Sequence, residues 1–201
     1  MALPPSSAAA SSSSNTPFVE RTLHQELLYQ GGLFKLRLDT VSTVHQQEAK
    51  RFVFEHPGAV CILPQLADGR FLMVRQFRYA TGQVLLEAPA GKLDQVGEPP
   101  LAAAQRELQE ETAHHAAHWE DWGLLYTAPG FCTEAMYLYY ATGLSPLEQH
   151  HLGVEDESLE LVALSEAELK QAIVAGQLTD GKTLALLAHY WVRQPQALPP
   201  R

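Results

Sequence analysis

The stretch that most constrains the fold of this chain runs from Gly91 to Glu111 and reads G-K-L-D-Q-V-G-E-P-P-L-A-A-A-Q-R-E-L-Q-E-E. A glycine-containing loop leads to Pro99 and Pro100, which suit the first turn of a helix because a missing N–H costs little there. The residues that follow are rich in alanine and leucine. We expect the side of this helix that faces a core to include three residues at helical spacing: Leu101, Ala104 and Leu108.

The same predicted helix carries a dense set of carboxylates. Glu107 and Glu111 are four residues apart and project from one side, with Glu110 beside them. Like charges at this spacing repel and weaken a helix, and a cation among them would remove the repulsion. Because carboxylate oxygens are the ligands that Mg²⁺ and Mn²⁺ prefer, the cluster indicates a metal site. A solvated acidic helix face is the alternative that the helix alone leaves open.

The order of these residues resembles the Nudix box, G-x5-E-x7-R-E-U-x-E-E-x-G-U, in which U is a bulky aliphatic residue. Its positions are filled at the right mutual spacing by Glu98, Arg106, Glu107, Leu108, Glu110 and Glu111. Six residues rather than five separate Gly91 from Glu98. Ala113 stands at the last glycine of the box and His114 at its last aliphatic position. A left-handed cap of the glycine type is therefore not expected at the end of this helix.

The resemblance extends from about Glu20 to Arg193 and is to the ADP-ribose pyrophosphatase branch of the family. It is carried by the segments K-R-F-V-F-E-H-P-G-A-V, V-R-Q-F-R-Y, L-L-E-A-P-A-G-K-L-D and P-G-F-C-T-E. That branch has a proline about fifteen residues beyond the box, where this chain has Pro129. The resemblance implies an α+β fold, the Nudix α/β/α sandwich with a mixed sheet. It also implies an N-terminal β arm that crosses to the partner in a homodimer.

The chain is predicted to consist of four segments. Composition indicates a disordered tail over residues 1–17, and 196–201 form a C-terminal tail. The resemblance implies that 18–54 is the β arm that dimerises and that 55–195 is the Nudix hydrolase domain. Asp68-Gly69 is a strong hairpin signal, and Ser165-Glu166-Ala167-Glu168 is a capping box that opens a helix to about Ala175. A last helix is expected over 182–193. Strands are expected over 22–29, 34–39, 51–55, 59–63, 71–77, 85–88, 122–127, 136–142 and 159–164.

Charge and cysteine content exclude several classes of protein. The net charge of −9, from 14 basic and 23 acidic residues, argues against broad binding to nucleic acid or anionic membranes. Cys61 and Cys132 form neither a disulfide framework nor a zinc pattern, so we expect a reducing compartment. No apolar run approaches the roughly 18 to 20 residues of a membrane span, and the first residues lack the features of a signal peptide. The sequence thus predicts a cytoplasmic protein.

The resemblance assigns a role to each acidic residue of the box. The metal ligands that it implies are Glu107, Glu111, Glu98 as an outer ligand, and Ala90 through its backbone carbonyl. Glu110 is a further catalytic carboxylate, and Arg106 orients the cluster through bidentate bonds. The alternative role for Glu98 is to orient Arg106. The implied cofactor is Mg²⁺, with Mn²⁺ possible. Divalent ions neutralise the pyrophosphate oxygens and lower the pKa of bound water.

Substrate contacts and a general base lie outside the box. The resemblance implies that Arg78, in the family's Q-x-R motif, binds substrate phosphate, that Glu87 contacts substrate near the metal, and that Glu134 reaches the terminal ribose. An exposed strand arginine and a solvated loop acid remain the alternatives for Arg78 and Glu134. The family carries its base on a loop before the last strand. The acidic run 155–157 occupies that place, and Glu157 aligns best, with a flexible acidic loop as the alternative.

The implied reaction is hydrolysis of ADP-ribose to AMP and ribose 5-phosphate. A small nucleoside diphosphate is the expected ligand, and neither nucleic acid nor a membrane is an expected partner. One alternative is cleavage of another nucleoside diphosphate linked to a sugar or other moiety. A second is a Nudix-fold sensor that binds such a ligand without cleaving it, although the intact R-E-x-x-E-E argues against it. Gly181-Lys182-Thr183 is not a P-loop, because the upstream glycine and strand are missing.

Overall fold

The computed structural model of the protein describes residues 18–148 and 158–194. Within them the chain forms strands β1 (Arg21–Gly31), β2 (Phe34–Ser42), β3 (Glu48–Glu55), β4 (Ala59–Pro64), β5 (Phe71–Arg78), β6 (Gln83–Glu87), β7 (Ala90–Lys92), β8 (His114–Tyr126), β9 (Ala135–Pro146) and β10 (Leu159–Leu164). The helices are α1 (Pro100–Thr112), α2 (Glu166–Val174) and α3 (Gly181–Arg193). The expected α+β class is confirmed.

A mixed sheet forms the centre of the molecule, with strand order β7-β4-β9-β8. β4 runs parallel to β9, whereas its other neighbour, β7, is antiparallel. All residues of β4 are buried, because both faces of this strand are covered. Val60 and Ile62 pack in the cluster that contains α1, and Cys61 and Leu63 pack in the cluster that contains α3. The helices therefore sandwich the sheet, as the sequence predicts.

The box helix α1 begins where the sequence predicts. The set of residues that it buries differs from the predicted set. Pro99 is its N-cap and Pro100 its first residue. Ala104 and Leu108 are fully buried, but Leu101 is 40% exposed, so its assignment to the core is wrong. The buried face is instead centred on residues at 103, 104, 107 and 111. Leu101 lies in the first turn, to one side of that face.

The end of α1 also corrects the sequence-based expectation. Ala113 adopts the left-handed conformation, with φ 54° and ψ 36°, although alanine costs roughly 1–2 kcal/mol there. Its N–H donates to the carbonyl of Gln109 at 2.9 Å, and its own carbonyl accepts from Leu147 N–H at 2.8 Å. These hydrogen bonds fix the turn into β8, which starts at His114 and pairs with β9. Tertiary pairing thus overrides the residue preference.

A second sheet has the order β10-β5-β6 and is antiparallel. Asp68-Gly69 does form a turn, with Gly69 at φ 87°. However, β4 and β5 belong to different sheets and are joined only by the isolated bridge between Gln65 and Phe71. The hairpin expected here is therefore wrong beyond its turn. The capping box at Ser165 is confirmed, since its side chain and that of Glu168 each bond the other's backbone N–H.

The N-terminal segment forms a separate antiparallel sheet with the order β1-β2-β3. It is attached to the central domain through Phe54, which donates to the carbonyl of Phe131 at 2.7 Å and accepts from Thr133 N–H at 3.0 Å. β1 is exposed along almost its whole length, including the side chains of Leu27 and Tyr29. None of the helices in the described ranges is long and apolar enough to cross a membrane.

Candidate active site

A cavity of about 870 Å³ lies beside α1 and brings together segments that are distant in the sequence. One wall is formed by α1 and β7, and another by the ends of β5 and the start of α3. His56 and the loop between β8 and β9 also contribute to the lining. Both acidic and basic side chains reach the cavity, since its lining includes Glu107, Glu111, Arg78 and Lys182.

Arg106 links three of the box glutamates. Its Nη1 donates to Glu107 Oε1 at 2.7 Å and to Glu110 Oε2 at 2.9 Å. Its Nε and Nη2 donate to the two carboxylate oxygens of Glu98 at 3.2 and 3.1 Å. Burial by itself lowers the pKa of Arg106, but the hydrogen bonds that it donates to Glu98 and the negative charge of Glu107 raise that pKa above its ordinary value. Glu98 therefore contacts Arg106 directly despite the extra loop residue before it.

The metal ligands implied for α1 and β7 lie side by side. Ala90 N–H donates to Glu111 Oε2 at 3.0 Å, which joins the helix to the strand. A Cβ atom at Gly91 would collide with the carboxylate of Glu107. A glycine at this position is therefore what allows the Glu107 carboxylate to lie against the backbone of β7.

Glu107 is a carboxylate in a poorly solvated place. It is 9% exposed, and burial raises its pKa to about 7 although Arg106 opposes the shift. Glu110 and Asp94 raise it further, because their negative charges lie nearby. A cation that approached this carboxylate would relieve both the lost solvation and the repulsion.

The chemistry of these groups suits a divalent cation. Glu107, Glu111 and the carbonyl of Ala90 offer only oxygen donors, which hard cations prefer. In the conformation that the described side chains adopt, no group of three or more acidic, histidine or cysteine side chains is arranged to hold a metal ion. Arg106 occupies the space between Glu107 and Glu110. Binding of an ion would therefore require these side chains to turn.

A second charged network includes two of the residues that line the cavity, Arg78 and Lys182. Arg78 donates to both oxygens of Glu87, at 2.8 and 2.7 Å, in a bidentate pair. Lys182 also contacts Glu87, and it donates to Asp180 Oδ1 at 3.0 Å. Glu87 is only 1% exposed. Burial acts to raise the pKa of Glu87, but Arg78 and Lys182 outweigh it and hold that pKa below its ordinary value.

Glu134 lines the cavity, and its carboxylate has two polar neighbours. It accepts a hydrogen bond from the hydroxyl of Thr127 at 2.5 Å, and its Oε1 lies 3.4 Å from His56 Nε2. Burial lowers the pKa of His56, and Lys92 adds to this effect while Glu134 opposes it. The ring of His56 also packs against Phe34, with centroids 5.2 Å apart, which connects the lining of the cavity to the N-terminal sheet.

The structure gathers most of the residues predicted for the site around this cavity. The box residues, Arg78 and Glu134 line it or contact residues that do, whereas Glu87 lies behind Arg78 and Lys182. Glu157 and the rest of the acidic run lie outside the described residues. Sequence reasoning missed Lys182, Asp180 and His56. The sequence does carry a signal for the first two, because Asp180 and Thr183 have the Asp-x-x-Thr spacing of a helix cap around Lys182.

Comparison with known proteins places this geometry in a family. The sequence profile of the NUDIX domain matches residues 55–183. A methanol dehydrogenase activator from Bacillus methanolicus is 35% identical, over 88% of this chain and 95% of its own length. An ADP-ribose pyrophosphatase from Mycobacterium tuberculosis is 37% identical over 82% and 79%. A GDP-mannose pyrophosphatase from Yersinia pestis is 31% identical over 84% and 87%.

A solved structure supports the fold. The crystal structure of an ADP compounds hydrolase superposes with a TM-score of 0.75 at 22% identity, covering 86% of this chain and 92% of that one. The fold and the carboxylate helix define a hydrolase of phosphoric anhydrides. The chain belongs to the Nudix family, as its box residues and the match over residues 55–183 show.

Proposed function

We propose that the protein is a Mg²⁺-dependent pyrophosphohydrolase that cleaves ADP-ribose into AMP and ribose 5-phosphate, with Mn²⁺ as an alternative metal. One observation carries the proposal: buried Glu107 and Glu111 line the same cavity as the guanidinium of Arg78. A pyrophosphate bound in this cavity would meet both metal-binding carboxylates and a cationic side chain. The 37% identical ADP-ribose pyrophosphatase supports this choice of substrate.

Each residue at the site has a task in this proposal. Glu107, Glu111 and the Ala90 carbonyl hold the metal, with Glu98 as an outer ligand and Glu110 as a further catalytic carboxylate. When bound, the metal polarises phosphorus and lowers the pKa of water. Arg106 keeps the glutamates oriented through the contacts described above. Arg78 binds a phosphate oxygen, and Glu87 acts on the substrate through Arg78.

The remaining contacts are proposed for residues outside the metal cluster. Glu134 binds the terminal ribose, which is supported by its position in the lining of the cavity with an oxygen near His56. Glu157 accepts the proton of the attacking water, because carboxylates that coordinate metal are poor bases. Glu157→Gln then lowers kcat by about 10² to 10⁴ and Glu155→Gln by much less. The reverse order would assign the base to Glu155, and no effect from either would remove the loop from the mechanism.

We also propose that the enzyme is a cytoplasmic homodimer joined through the β arm. The exposed apolar side chains of β1, which include Leu23, Leu27 and Leu28, support an interface, because monomers rarely expose such patches.

A substrate panel tests the proposed activity. Purified protein is incubated with ADP-ribose, GDP-mannose or ADP-glucose, each with Mg²⁺ and with excess EDTA, and the products are identified chromatographically. We expect ADP-ribose to give the highest kcat/KM, by about ten-fold or more, and EDTA to abolish turnover. Preference for GDP-mannose would establish the alternative suggested by the Yersinia relative. Binding of ADP-ribose without turnover of any compound would make the protein a sensor.

A further inference from the structure

The Gly181-Lys182-Thr183 motif opens α3 beside the cavity but supplies none of the groups assigned to the reaction. Asp180 caps the helix and accepts hydrogen bonds from the backbone N–H and the hydroxyl of Thr183, at 3.0 and 2.6 Å. The Thr183 hydroxyl oxygen in turn accepts from Ala88 N–H at 2.7 Å, and Thr183 is fully buried. The start of α3 is therefore fixed to the segment between β6 and β7.

This attachment fixes the position of the Lys182 ammonium group. The side chain of Lys182 is 11% exposed, and its Nζ contacts both Asp180 and Glu87. Burial alone would lower the pKa of Lys182, but its acidic neighbours hold that pKa above its ordinary value. Lys182 is therefore a charged group at neutral pH, and it has little freedom to move.

Glu87 connects this ammonium group to the substrate side of the cavity. One carboxylate oxygen of Glu87, Oε2, contacts both Lys182 and Arg78 Nη2, and the other oxygen accepts from Arg78 Nε. A bidentate pair fixes the plane of a guanidinium only if the carboxylate itself cannot rotate. The contact with Lys182 prevents that rotation.

We propose that Lys182 is a positioning residue that acts through Glu87 to hold Arg78 in the orientation that binds a substrate phosphate. The inference rests on the proposed function, because it concerns the same site. It gives the Gly-Lys-Thr motif a role that differs from a P-loop: the lysine binds a carboxylate of the protein, and the phosphate contact belongs to the arginine.

Affinity measured without turnover tests this role. The Kd of ADP-ribose is determined by calorimetry in EDTA for the wild type, Lys182→Met, Arg78→Met and the double variant. We expect Lys182→Met to weaken binding by about ten-fold, the size of one lost charged hydrogen bond. In the Arg78→Met background, the same change should add less than about two-fold, because the two residues act as one unit. Lys170→Met, which removes a surface ion pair with Glu166 on α2, is the control and should leave Kd unchanged.

Measurements of kcat distinguish a failure of this inference from a failure of the proposed function. With Mg²⁺ and saturating ADP-ribose, kcat of Lys182→Met should fall by less than about three-fold, whereas a general structural defect would lower kcat as well. An unchanged Kd, or effects of the two variants that multiply, overturns the inference, as does a wild type that fails to bind ADP-ribose. Binding that follows the expected pattern with no turnover overturns only the proposed hydrolysis. Should Lys182→Met fail to fold, Lys182→Gln, which keeps N–H donors for Glu87 and Asp180 without the charge, is judged by the same criteria.

Discussion

Some positions in this protein make contacts that only the residue type found there can make. Gly91 is an example, because the carboxylate of Glu107 occupies the space where a side chain at Gly91 would lie. Glu87 is another, since a carboxylate at 1% exposure requires the two cations beside it. Substitution at either position therefore has a consequence that can be derived from geometry or charge.

Gly91→Ala should displace Glu107 and weaken metal binding without unfolding the protein. The added methyl group would collide with the carboxylate, which lies at the end of a side chain that can turn aside. We expect the Mg²⁺ concentration for half-maximal activity to rise by about ten-fold, with overpacking costing at most about 1–3 kcal/mol of stability. Gly130→Ala is the matched control, since a Cβ there meets open space. Unchanged metal dependence in Gly91→Ala would show that Glu107 is not a ligand.

Glu87→Gln should destabilise the protein in a manner that depends on pH. Removing one partner of a buried ion pair costs about 3 kcal/mol at neutral pH. Because the folded-state pKa of Glu87 is lowered, its stabilisation is present above the unfolded pKa of about 4.3 and is lost as the pH falls through the folded value. Urea denaturation at several pH values should show the difference from wild type shrinking towards low pH. A difference that stays constant with pH would contradict this account.

Elements of secondary structure were predictable where local patterns determine them. The box helix, the capping box at Ser165 and the buried strand β4 are confirmed. By contrast, β8 begins at His114, eight positions before the predicted start at Trp122, because pairing with β9 extends it. The separation of β4 and β5 into different sheets likewise depends on distant partners. Local periodicity carries no information about either.

The site shows the same division between local and distant information. The glutamates of α1 were predictable because their spacing is local. The contact between Lys182 and Glu87 joins residues 95 positions apart, and no pattern in the sequence relates them. Ala113 was mispredicted because a left-handed alanine requires tertiary support, which here comes from Leu147. Long-range contacts therefore account for what the sequence did not reveal.

Ser165→Ala tests whether α2 contributes stability without contributing to the reaction. Loss of the cap removes the acceptor for Glu168 N–H, which lies 3.3 Å from the Ser165 oxygen, and should cost about 1 kcal/mol. Chemical denaturation should show this loss, while kcat/KM for ADP-ribose stays at the wild-type value. A fall in kcat/KM would mean that α2 communicates with the cavity, which the account does not predict.

At the scale of the whole molecule, the N-terminal sheet and the central domain meet near the cavity. Phe54 hydrogen-bonds the loop that carries Glu134, and Phe34 packs against His56. These contacts join the sheet to His56 and to the loop that carries Glu134, both of which contribute to the lining of the cavity. The sheet also exposes apolar side chains of β1. This arrangement is consistent with an arm that serves both assembly and substrate binding.

Two deletions should distinguish the N-terminal tail, which is not needed for activity, from the β arm, which is. Removing residues 1–15, which are poor in large apolar side chains, should leave assembly and activity unchanged. Removing residues through Val44 also deletes β1 and β2, and should abolish both dimerisation and ADP-ribose binding. Analytical ultracentrifugation and calorimetry measure the two effects. A fully active monomer at the assay concentration would refute the proposed dimer.

The central claim is that the carboxylates of α1 bind the metal on which hydrolysis depends, and kcat of Glu111→Gln at saturating Mg²⁺ tests it most directly. The substitution keeps the shape of this buried side chain and a carbonyl oxygen that can still accept from Ala90 N–H, but it removes the charge. With an unchanged circular dichroism spectrum, we expect kcat for ADP-ribose to fall by about two orders of magnitude or more. Wild-type kcat in a folded Glu111→Gln variant would contradict the account.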